Sequence, residues 1–213
     1  MKVAILGAAG QTGRVLVEEC LRRGHGVIAL ARDPARVAGS DARIERRRAD
    51  AFERDSVVAG LAGADAVITT VGKINLRDKR VDLSTAAHRH VLEGMRAHGI
   101  RRLIAISSLG ALQGVRRPGI RRNLYLYFRR KYYGDMREME KMVLAEPGLS
   151  ATVVRAPMLD NGPAEARFEL QPDERALPPG IKVSRADLAR FILDELDEPR
   201  CAGRVIALAN PPG

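Results

Sequence analysis

The sequence has few cysteines, few aromatic residues and no tryptophan. Cysteine occurs twice in 213 residues, as Cys20 and Cys201, and aromatic side chains make up 4% of the chain. Neither cysteine has a partner at a metal-ligand spacing, so we expect neither a zinc site nor a disulfide framework. His88 and His90 point in different directions on an expected helix. We therefore predict no metal site and expect the four histidines to be solvated or half-buried.

Long apolar runs and an excess of acidic residues are also missing. No run approaches the roughly 18–20 residues that span a bilayer, and residues 2–6 are too short for the core of a secretion signal. We therefore expect a cytoplasmic protein that does not contact membranes. The net charge is +10. Such a surplus favours phosphorylated cofactors, acidic ligands or nucleic acid, but a coding bias toward arginine produces the same surplus.

What the chain does contain is a regular alternation of apolar runs with stretches of helical periodicity. The predicted strands are residues 2–6, 27–31, 43–48, 64–71, 102–106, 151–154 and 204–209. The predicted helices are residues 12–23, 83–99, 135–145 and the segment after Ser184. This order predicts one α/β domain over residues 1–213, a doubly wound parallel sheet in three αβα layers. Segments 111–131 and 157–183 interrupt the alternation and are expected to form a small substrate-side region.

A glycine-rich turn with the spacing G-x-x-G-x-x-G joins the first predicted strand to the first helix. We expect Gly7 to allow the sharp turn, Gly10 to let the backbone approach a pyrophosphate, and Gly13 to let the helix pack closely. The free N–H groups and the dipole at the helix start favour phosphate. The motif predicts a Rossmann-like fold that binds a dinucleotide. The remaining contacts in the turn are assigned to Ala9, Gln11 and Thr12.

The residue after the second predicted strand indicates which dinucleotide binds. An acidic residue about 20 positions after the turn suits the 2′-hydroxyl of NAD, whereas arginine suits a 2′-phosphate. Arg32 occupies that position, and Arg36 follows about one turn later. Asp33 precedes Pro34 and is typical of a helix cap. We therefore predict NADPH (NADP when oxidised) as the cofactor, bound through charge-assisted contacts from the two arginines.

Three further strand ends are expected to line the cofactor site. Asp50-Ala51 is predicted at the adenine, with the alternative that Asp50 begins a loop or caps a helix. Thr70-Val71-Gly72 is predicted to run beneath the adenosine. Ser107-Ser108 is predicted beside the nicotinamide, where a hydroxyl either polarises a substrate carbonyl or caps the following segment.

These motifs resemble the atypical short-chain dehydrogenase/reductases with an NAD(P)H-binding fold, near the biliverdin reductase B/flavin reductase and NmrA-like branches. Beyond the segments already named, the matching stretches are Ile106-Ser107-Ser108, Glu140, Val154-Arg155-Ala156-Pro157 and residues 183–189. The resemblance implies that Ser108 lies beside the nicotinamide and the substrate. It also implies that Ala156 and Pro157 border the nicotinamide amide.

One motif of the wider superfamily differs in this chain. Its dehydrogenases use Tyr-x-x-x-Lys, in which the lysine lowers the pKa of the tyrosine so that it transfers a proton near neutral pH. Counted back from Arg155, the matching positions hold Tyr133 and Arg137. Arginine keeps the charge but cannot share a proton. A literal Tyr127-x-x-x-Lys131 lies six residues earlier and is interpreted as chance.

The missing motif argues against an alcohol dehydrogenase. We expect hydride transfer to a planar conjugated acceptor (a flavin, a quinone or a linear tetrapyrrole), because the cofactor supplies the hydride and solvent the proton. Ser108 and Tyr133 are the candidate catalytic residues. The alternative is an NmrA-like redox sensor that binds NADP(H) without turnover. An epimerase or dehydratase is less consistent with the short C-terminal part, and the residues are compatible with a monomer or a dimer.

The basic segment Val115–Lys131 has no acidic residue and interleaves seven arginine or lysine residues with Tyr125, Tyr127 and Phe128. Three interpretations are left open. The segment is a lid over a flat anionic acceptor, a solvated loop whose aromatic residues pack, or, least in keeping with the rest of the sequence, a contact for single-stranded nucleic acid.

Overall fold

The computed structural model describes residues 1–72, 82–111, 129–165, 169–171 and 182–209. Most of the basic segment Val115–Lys131, including Tyr127, lies outside the described residues. So do residues 166–168 and 172–181 of the expected substrate-side region. The expectations for these segments stay predictions.

A mixed eight-stranded sheet is the centre of the fold. In chain order the strands are β1 (Lys2–Leu6), β2 (Gly26–Ala31), β3 (Ile44–Arg48), β4 (Ala66–Thr69), β5 (Arg102–Ser108), β6 (Ser150–Ala156), β7 (Met158–Asp160), β8 (Glu169–Gln171), β9 (Lys182–Ser184) and β10 (Arg204–Ala209). The main sheet has the order β3-β2-β1-β4-β5-β6-β10-β8. Its pairs are parallel except for β10 with β8. Strands β7 and β9 pair separately, also in parallel.

Helices cover both faces of the sheet, so the predicted three-layer α/β fold is confirmed. The helices are α1 (Gln11–Arg22), α2 (Arg54–Gly60), α3 (Leu83–Ala97), α4 (Arg130–Leu144) and α5 (Arg185–Asp197). Two short 3₁₀ helices span Pro34–Arg36 and Leu109–Ala111. One buried apolar cluster joins α1 and α5 to the sheet, and a second joins α2, α3 and α4 to the opposite face. Apolar residues at helical spacing supply these buried faces.

The strand order reverses between β1 and β4, which creates a crevice at their carboxyl ends. The chain runs from β1 outward through β2 and β3, then returns to place β4, β5 and β6 on the other side of β1. Open α/β sheets bind ligands at such a switch point. The fold therefore positions the glycine-rich turn after β1 and residues 70–72 after β4 on the two walls of this crevice.

The structure corrects several predicted boundaries. Strand β4 ends at Thr69, so residues 70–72 follow the strand instead of belonging to it. Helix α4 begins five residues before the predicted start. Helix α2 and strands β7, β8 and β9 were not predicted. Each is at most seven residues long, which is too short to show a clear hydrophobic period.

Candidate functional site

The glycine-rich turn is built so that only small residues fit its closest contacts. Gly7 has a φ of +95°, a left-handed conformation that favours glycine. Its N–H donates to the carbonyl oxygen of Leu30 at 3.0 Å, which fixes the turn to the end of β2. A Cβ on Gly13 would lie 2.2 Å from the carbonyl oxygen of Gly7, and one on Gly10 would lie 3.2 Å from it. The backbone of the turn is therefore folded too tightly for a side chain at Gly7 or Gly13.

The start of α1 presents N–H groups that no local side chain caps. Its cap residue, Gly10, has no side chain to accept a hydrogen bond, and the first turn contains no acidic residue. The first N–H groups of a helix lack partners within the helix, and the helix dipole favours an anion there. Gln11 is exposed and Thr12 is half-buried at this position. The geometry fits the diphosphate of a dinucleotide.

Thr70 ties the two walls of the crevice together. Its N–H donates to the carbonyl oxygen of Leu6 at 2.9 Å, and its hydroxyl lies 3.3 and 3.2 Å from the carbonyl oxygens of Leu6 and Gly7. A Cβ on Gly7 would lie 2.5 Å from the Thr70 hydroxyl oxygen. The Thr70 side chain thus supports the glycine-rich turn. Val71 is half-buried and Gly72 exposed, and their predicted place beneath the adenosine stays a prediction.

The two predicted selector arginines both lie at the surface beyond the end of β2. Arg32 directly follows the strand, and Arg36 ends the 3₁₀ helix 34–36. Asp33 accepts a hydrogen bond from the N–H of Ala35 at 3.1 Å, so its predicted role as a helix cap is confirmed. Within the described residues neither arginine forms an ion pair. Both positive charges are therefore available to an anionic ligand.

Arg14, which was not among the predicted site residues, contacts two parts of the candidate site. Its Nε donates to the carbonyl oxygen of Ala9 at 3.2 Å, and its Nη2 donates to the carbonyl oxygen of Arg36 at 3.5 Å. The guanidinium thus bridges the glycine-rich turn and residues 32–36, which we call the selector segment. The signal was available, because an arginine directly after the third glycine lies in the first turn of α1, beside the phosphate cradle.

Asp50 follows the carboxyl end of β3 and begins a loop, which is the alternative that the sequence left open. Its Oδ1 accepts a hydrogen bond from the N–H of Phe52 at 3.0 Å, and its own N–H donates to the hydroxyl of Ser56 at 3.0 Å. The carbonyl oxygen of Ala51 is bound to Nδ1 of His90 at 3.0 Å. This Asx turn fixes the loop, and the contact of Asp50 and Ala51 with adenine stays a prediction.

The Ser107 side chain is part of a buried polar cluster. Its hydroxyl donates to Oε1 of Glu140 at 2.5 Å, and both residues are almost fully buried. Arg155 completes the cluster, with its Nη2 2.6 Å from Oε2 of Glu140. Adjacent residues of a strand point to opposite faces of a sheet. The Ser107 hydroxyl therefore lies on the side of the sheet covered by α4, bonded to a buried ion pair, and the contact of Ser107 with the nicotinamide stays a prediction.

Ser108 and Tyr133 each contact Gly110, in the turn that follows β5. The Ser108 hydroxyl accepts a hydrogen bond from the N–H of Gly110 at 3.2 Å, so it caps the 3₁₀ helix 109–111 as the sequence alternative proposed. A Cβ on Gly110 would lie 2.2 Å from the Tyr133 ring, which is 9% exposed and packs on Ala111. Arg137 donates to the Ala111 carbonyl oxygen at 3.2 Å. The catalytic roles of Ser108 and Tyr133 stay predictions.

The neighbouring tyrosine is the more accessible of the two. Tyr132 is half-buried, and its hydroxyl would lie 3.9 Å from a Cβ on Gly72, across the crevice wall after β4. The guanidinium of Arg129 is 5.7 Å from the centre of its ring, a cation–π distance. On the far side, Ala156 pairs in register with Ser108, so Pro157 leaves the sheet next to that serine. The residues predicted around the nicotinamide thus share one edge.

A buried hydrogen-bonded chain lies below this edge. Nε2 of His88 is 2.7 Å from the hydroxyl of Thr69, and its Nδ1 is 2.8 Å from the carbonyl oxygen of Ser84. Asp135 accepts from the N–H groups of Ser84 and Thr85 at 2.7 and 3.0 Å, so it caps α3 from the neighbouring helix. Burial lowers the pKa of His88 to about 4. The expectation of a solvated or half-buried histidine is wrong here, because His88 is a neutral core residue.

A parallel α/β sheet with a glycine-rich phosphate cradle at its switch point defines the Rossmann class of nucleotide-binding proteins. The chain belongs to the NAD(P)H-binding family, whose model matches residues 7–199. The family resemblance seen in the sequence is confirmed at this level. Among the described residues, no helix combines the length and the apolar character that crossing a membrane requires.

Known proteins with a similar sequence or fold include several reductases. Cinnamoyl-CoA reductase 1 of Oryza sativa subsp. japonica is 30% identical over 118 residues, which are 52% of this chain and 35% of that protein. The chain thus spans about a third of this relative. A short-chain dehydrogenase/reductase of Veillonella parvula, solved in complex with NADP, has a TM-score of 0.82 at 19% identity, covering 99% and 94% of the two chains. The anaerobillin reductase ChuY of Escherichia coli O157:H7 has a TM-score of 0.80 at 21% identity, covering 99% and 98%.

Proposed function

We propose that this protein is an NADPH-dependent reductase that transfers a hydride to a planar conjugated acceptor such as a flavin or a quinone. The observation that carries the proposal is the pairing of an uncapped phosphate cradle at Gly7–Gly13 with two selector arginines that lack acidic partners among the described residues. The similarity to a structure solved with NADP and to a solved reductase supports the same conclusion.

In this proposal the residues of the chain bind the coenzyme and orient the acceptor. The backbone of the glycine-rich turn holds the diphosphate, and Arg32 and Arg36 bind the 2′-phosphate. Bound NADPH supplies the hydride. Ser108, half-buried at the end of β5 beside Ala156, orients the acceptor. A conjugated acceptor takes its proton from solvent, so the reaction needs no lysine beside Tyr133.

A second function is favoured by one specific observation. Arg137, at the position where the superfamily motif has lysine, is bonded to the carbonyl oxygen of Ala111, and Tyr133 is packed on Gly110. These contacts hold Arg137 against the backbone of Ala111 and the Tyr133 ring against the turn after β5. The alternative is therefore an NmrA-like sensor that binds NADP(H) and changes its interactions without turnover.

One assay separates the two functions. Purified protein and NADPH are mixed with a panel of flavins and quinones, and absorbance is followed at 340 nm. Oxidation above the protein-free rate supports the reductase, and coenzyme binding with no oxidation on any acceptor favours the sensor. Ser108→Ala is expected to raise the KM for the acceptor while leaving NADPH affinity unchanged. Unaltered turnover at every acceptor concentration would remove Ser108 from the acceptor site.

The selector assignment has its own test. Arg32→Ala is expected to weaken NADPH binding roughly 10- to 150-fold, the range for a lost hydrogen bond to a charged group. NADH lacks the 2′-phosphate, so its affinity is expected to change little. Arg22→Ala, at the far end of α1, is the matched control because Arg22 is paired with Glu19. Equal losses for the two coenzymes in Arg32→Ala would contradict the assignment.

A further inference from the structure

We propose that Arg14 is a specificity-determining residue that binds the 2′-phosphate of NADPH together with Arg32 and Arg36. The proposal rests on the proposed coenzyme and deepens it. Arg14 lies in the first turn of α1, directly after Gly13, the glycine that lets the helix pack against the turn. From there its side chain reaches the segment that follows β2.

The contacts of Arg14 place its charge between the two parts of the coenzyme site. Its Nε is 3.2 Å from the carbonyl oxygen of Ala9, within the diphosphate cradle, and its Nη2 is 3.5 Å from the carbonyl oxygen of Arg36, within the selector segment. These two contacts are long and use two of the five N–H groups of a guanidinium. The remaining donors are available at the position where the two segments meet.

The contacts orient the guanidinium without neutralising it. A backbone carbonyl is a dipole and carries no full negative charge, and within the described ranges Arg14 forms no ion pair. Glu18, one turn further along α1, is exposed and does not pair with it. Arg14 also lines the cleft between α1 and residues 37–39, the continuation of the selector segment. A cation held in place by dipoles is preorganised for an anion.

The residues that follow the selector segment are also held by an arginine. Arg46 on β3 donates to the carbonyl oxygen of Val37 at 3.4 Å and to that of Gly39. Guanidinium groups from α1 and β3 therefore bind the carbonyl groups of residues 36–39 from both sides. Arg14 and Arg46 contact this short segment, Arg36 is its first residue and Arg32 lies four positions before it. None of the four forms an ion pair within the described part of the chain. A dianionic phosphate matches this local excess of positive charge better than a ribose hydroxyl does.

The competing explanation is that Arg14 is a clip that only shapes the turn. The two explanations differ in which coenzyme they affect. A clip supports the diphosphate cradle, which NADPH and NADH use equally. A ligand of the 2′-phosphate affects NADPH and leaves NADH almost unchanged.

The test compares dissociation constants of four probes: NADPH, NADH, 2′-phospho-ADP-ribose and ADP-ribose. Arg14→Met, which keeps an unbranched stem and removes the charge, is compared with wild type and with Arg22→Met on the same helix. We expect Arg14→Met to weaken the two 2′-phosphorylated probes roughly 10- to 100-fold, and to change the other two less than threefold. Arg14→Lys, which keeps the charge without the fork, is expected to lose affinity for the same two probes by a smaller factor.

Equal losses for all four probes, or no loss for any, would overturn the proposal. A variant that unfolds is recognised by its melting temperature, and Arg14→Lys then gives the deciding comparison. Binding is measured without an acceptor, so failure of the reductase function leaves this result intact. Conversely, an active reductase whose Arg14→Met variant keeps its preference for NADPH refutes only the role of Arg14. Wild-type protein that binds none of the four probes overturns both.

Discussion

The buried histidine beneath the site predicts how the stability of the fold depends on pH. His88 is 1% exposed, and burial lowers its pKa from 6.5 to about 4. Its Nδ1 faces a carbonyl oxygen, so the neutral ring carries its proton on Nδ1 and accepts from Thr69 at Nε2. The unfolded chain binds a proton near pH 6.5 that the folded chain does not bind until about pH 4.

The sign and size of the effect follow from this difference. Because the unfolded state binds more protons between pH 6.5 and pH 4, folding stability falls as the pH is lowered through this range. The lowered pKa of His88 corresponds to a total stability loss of roughly 3 kcal/mol once the pH is below both pKa values. About 2 kcal/mol of this loss is expected between pH 7.5 and pH 5.0.

The assay is urea unfolding of wild type and His88→Asn at several pH values between 5.0 and 7.5. Asparagine keeps a donor near the Ser84 carbonyl oxygen but does not titrate. Carboxylates contribute to both proteins, so the quantity of interest is the difference between their pH slopes. His98→Asn serves as the control because His98 is exposed. Parallel stability curves for wild type and His88→Asn would refute the reasoning.

Two further substitutions test the cradle and the opposite end of the sheet. Gly13→Ala places a Cβ 2.2 Å from a backbone carbonyl oxygen and is expected to abolish coenzyme binding in calorimetry. The control is Gly134→Ala in α4, where the atom nearest to the new Cβ is 3.7 Å away, and this variant should bind the coenzyme normally. A folded Gly13→Ala variant with wild-type affinity would contradict this geometry. Glu195→Ala leaves the half-buried guanidinium of Arg102 without its carboxylate partner and is expected to cost about 3–5 kcal/mol in urea unfolding. Exposed Glu198→Ala should change stability by less than about 0.5 kcal/mol, and equal effects would contradict the importance of burial.

The parts of the fold that the sequence predicted correctly are those coded by local patterns. The first strand, the glycine-rich turn and α1 form one continuous segment in which spacing alone indicates the geometry. Asp33 could be recognised as a cap because it directly precedes Pro34. The apolar runs of the sheet are fully buried, and their length and bounding turns are visible without knowing their neighbours.

The features that the sequence did not predict depend on contacts between distant segments. Ser107 and Ser108 are chemically identical, and only the pleat of β5 decides which of them meets Glu140. Asp82 precedes α3 and makes no side-chain cap bond, whereas Asp135 from another helix caps it. Such pairings carry no signature at short sequence spacing. The sequence shows that Arg14 directly follows the third glycine, but it does not show the second contact of Arg14, which lies 22 positions away.

The most direct test of the account is a calorimetric titration of the wild-type protein with NADPH and with NADH. We predict saturable binding of one coenzyme per chain. NADPH is expected to bind roughly 10- to 150-fold more tightly than NADH, because Arg14, Arg32 and Arg36 contact its 2′-phosphate. Saturable binding with NADH favoured would contradict the selector assignment. No saturable heat with either coenzyme would contradict the central claim that the turn at Gly7–Gly13 holds a dinucleotide.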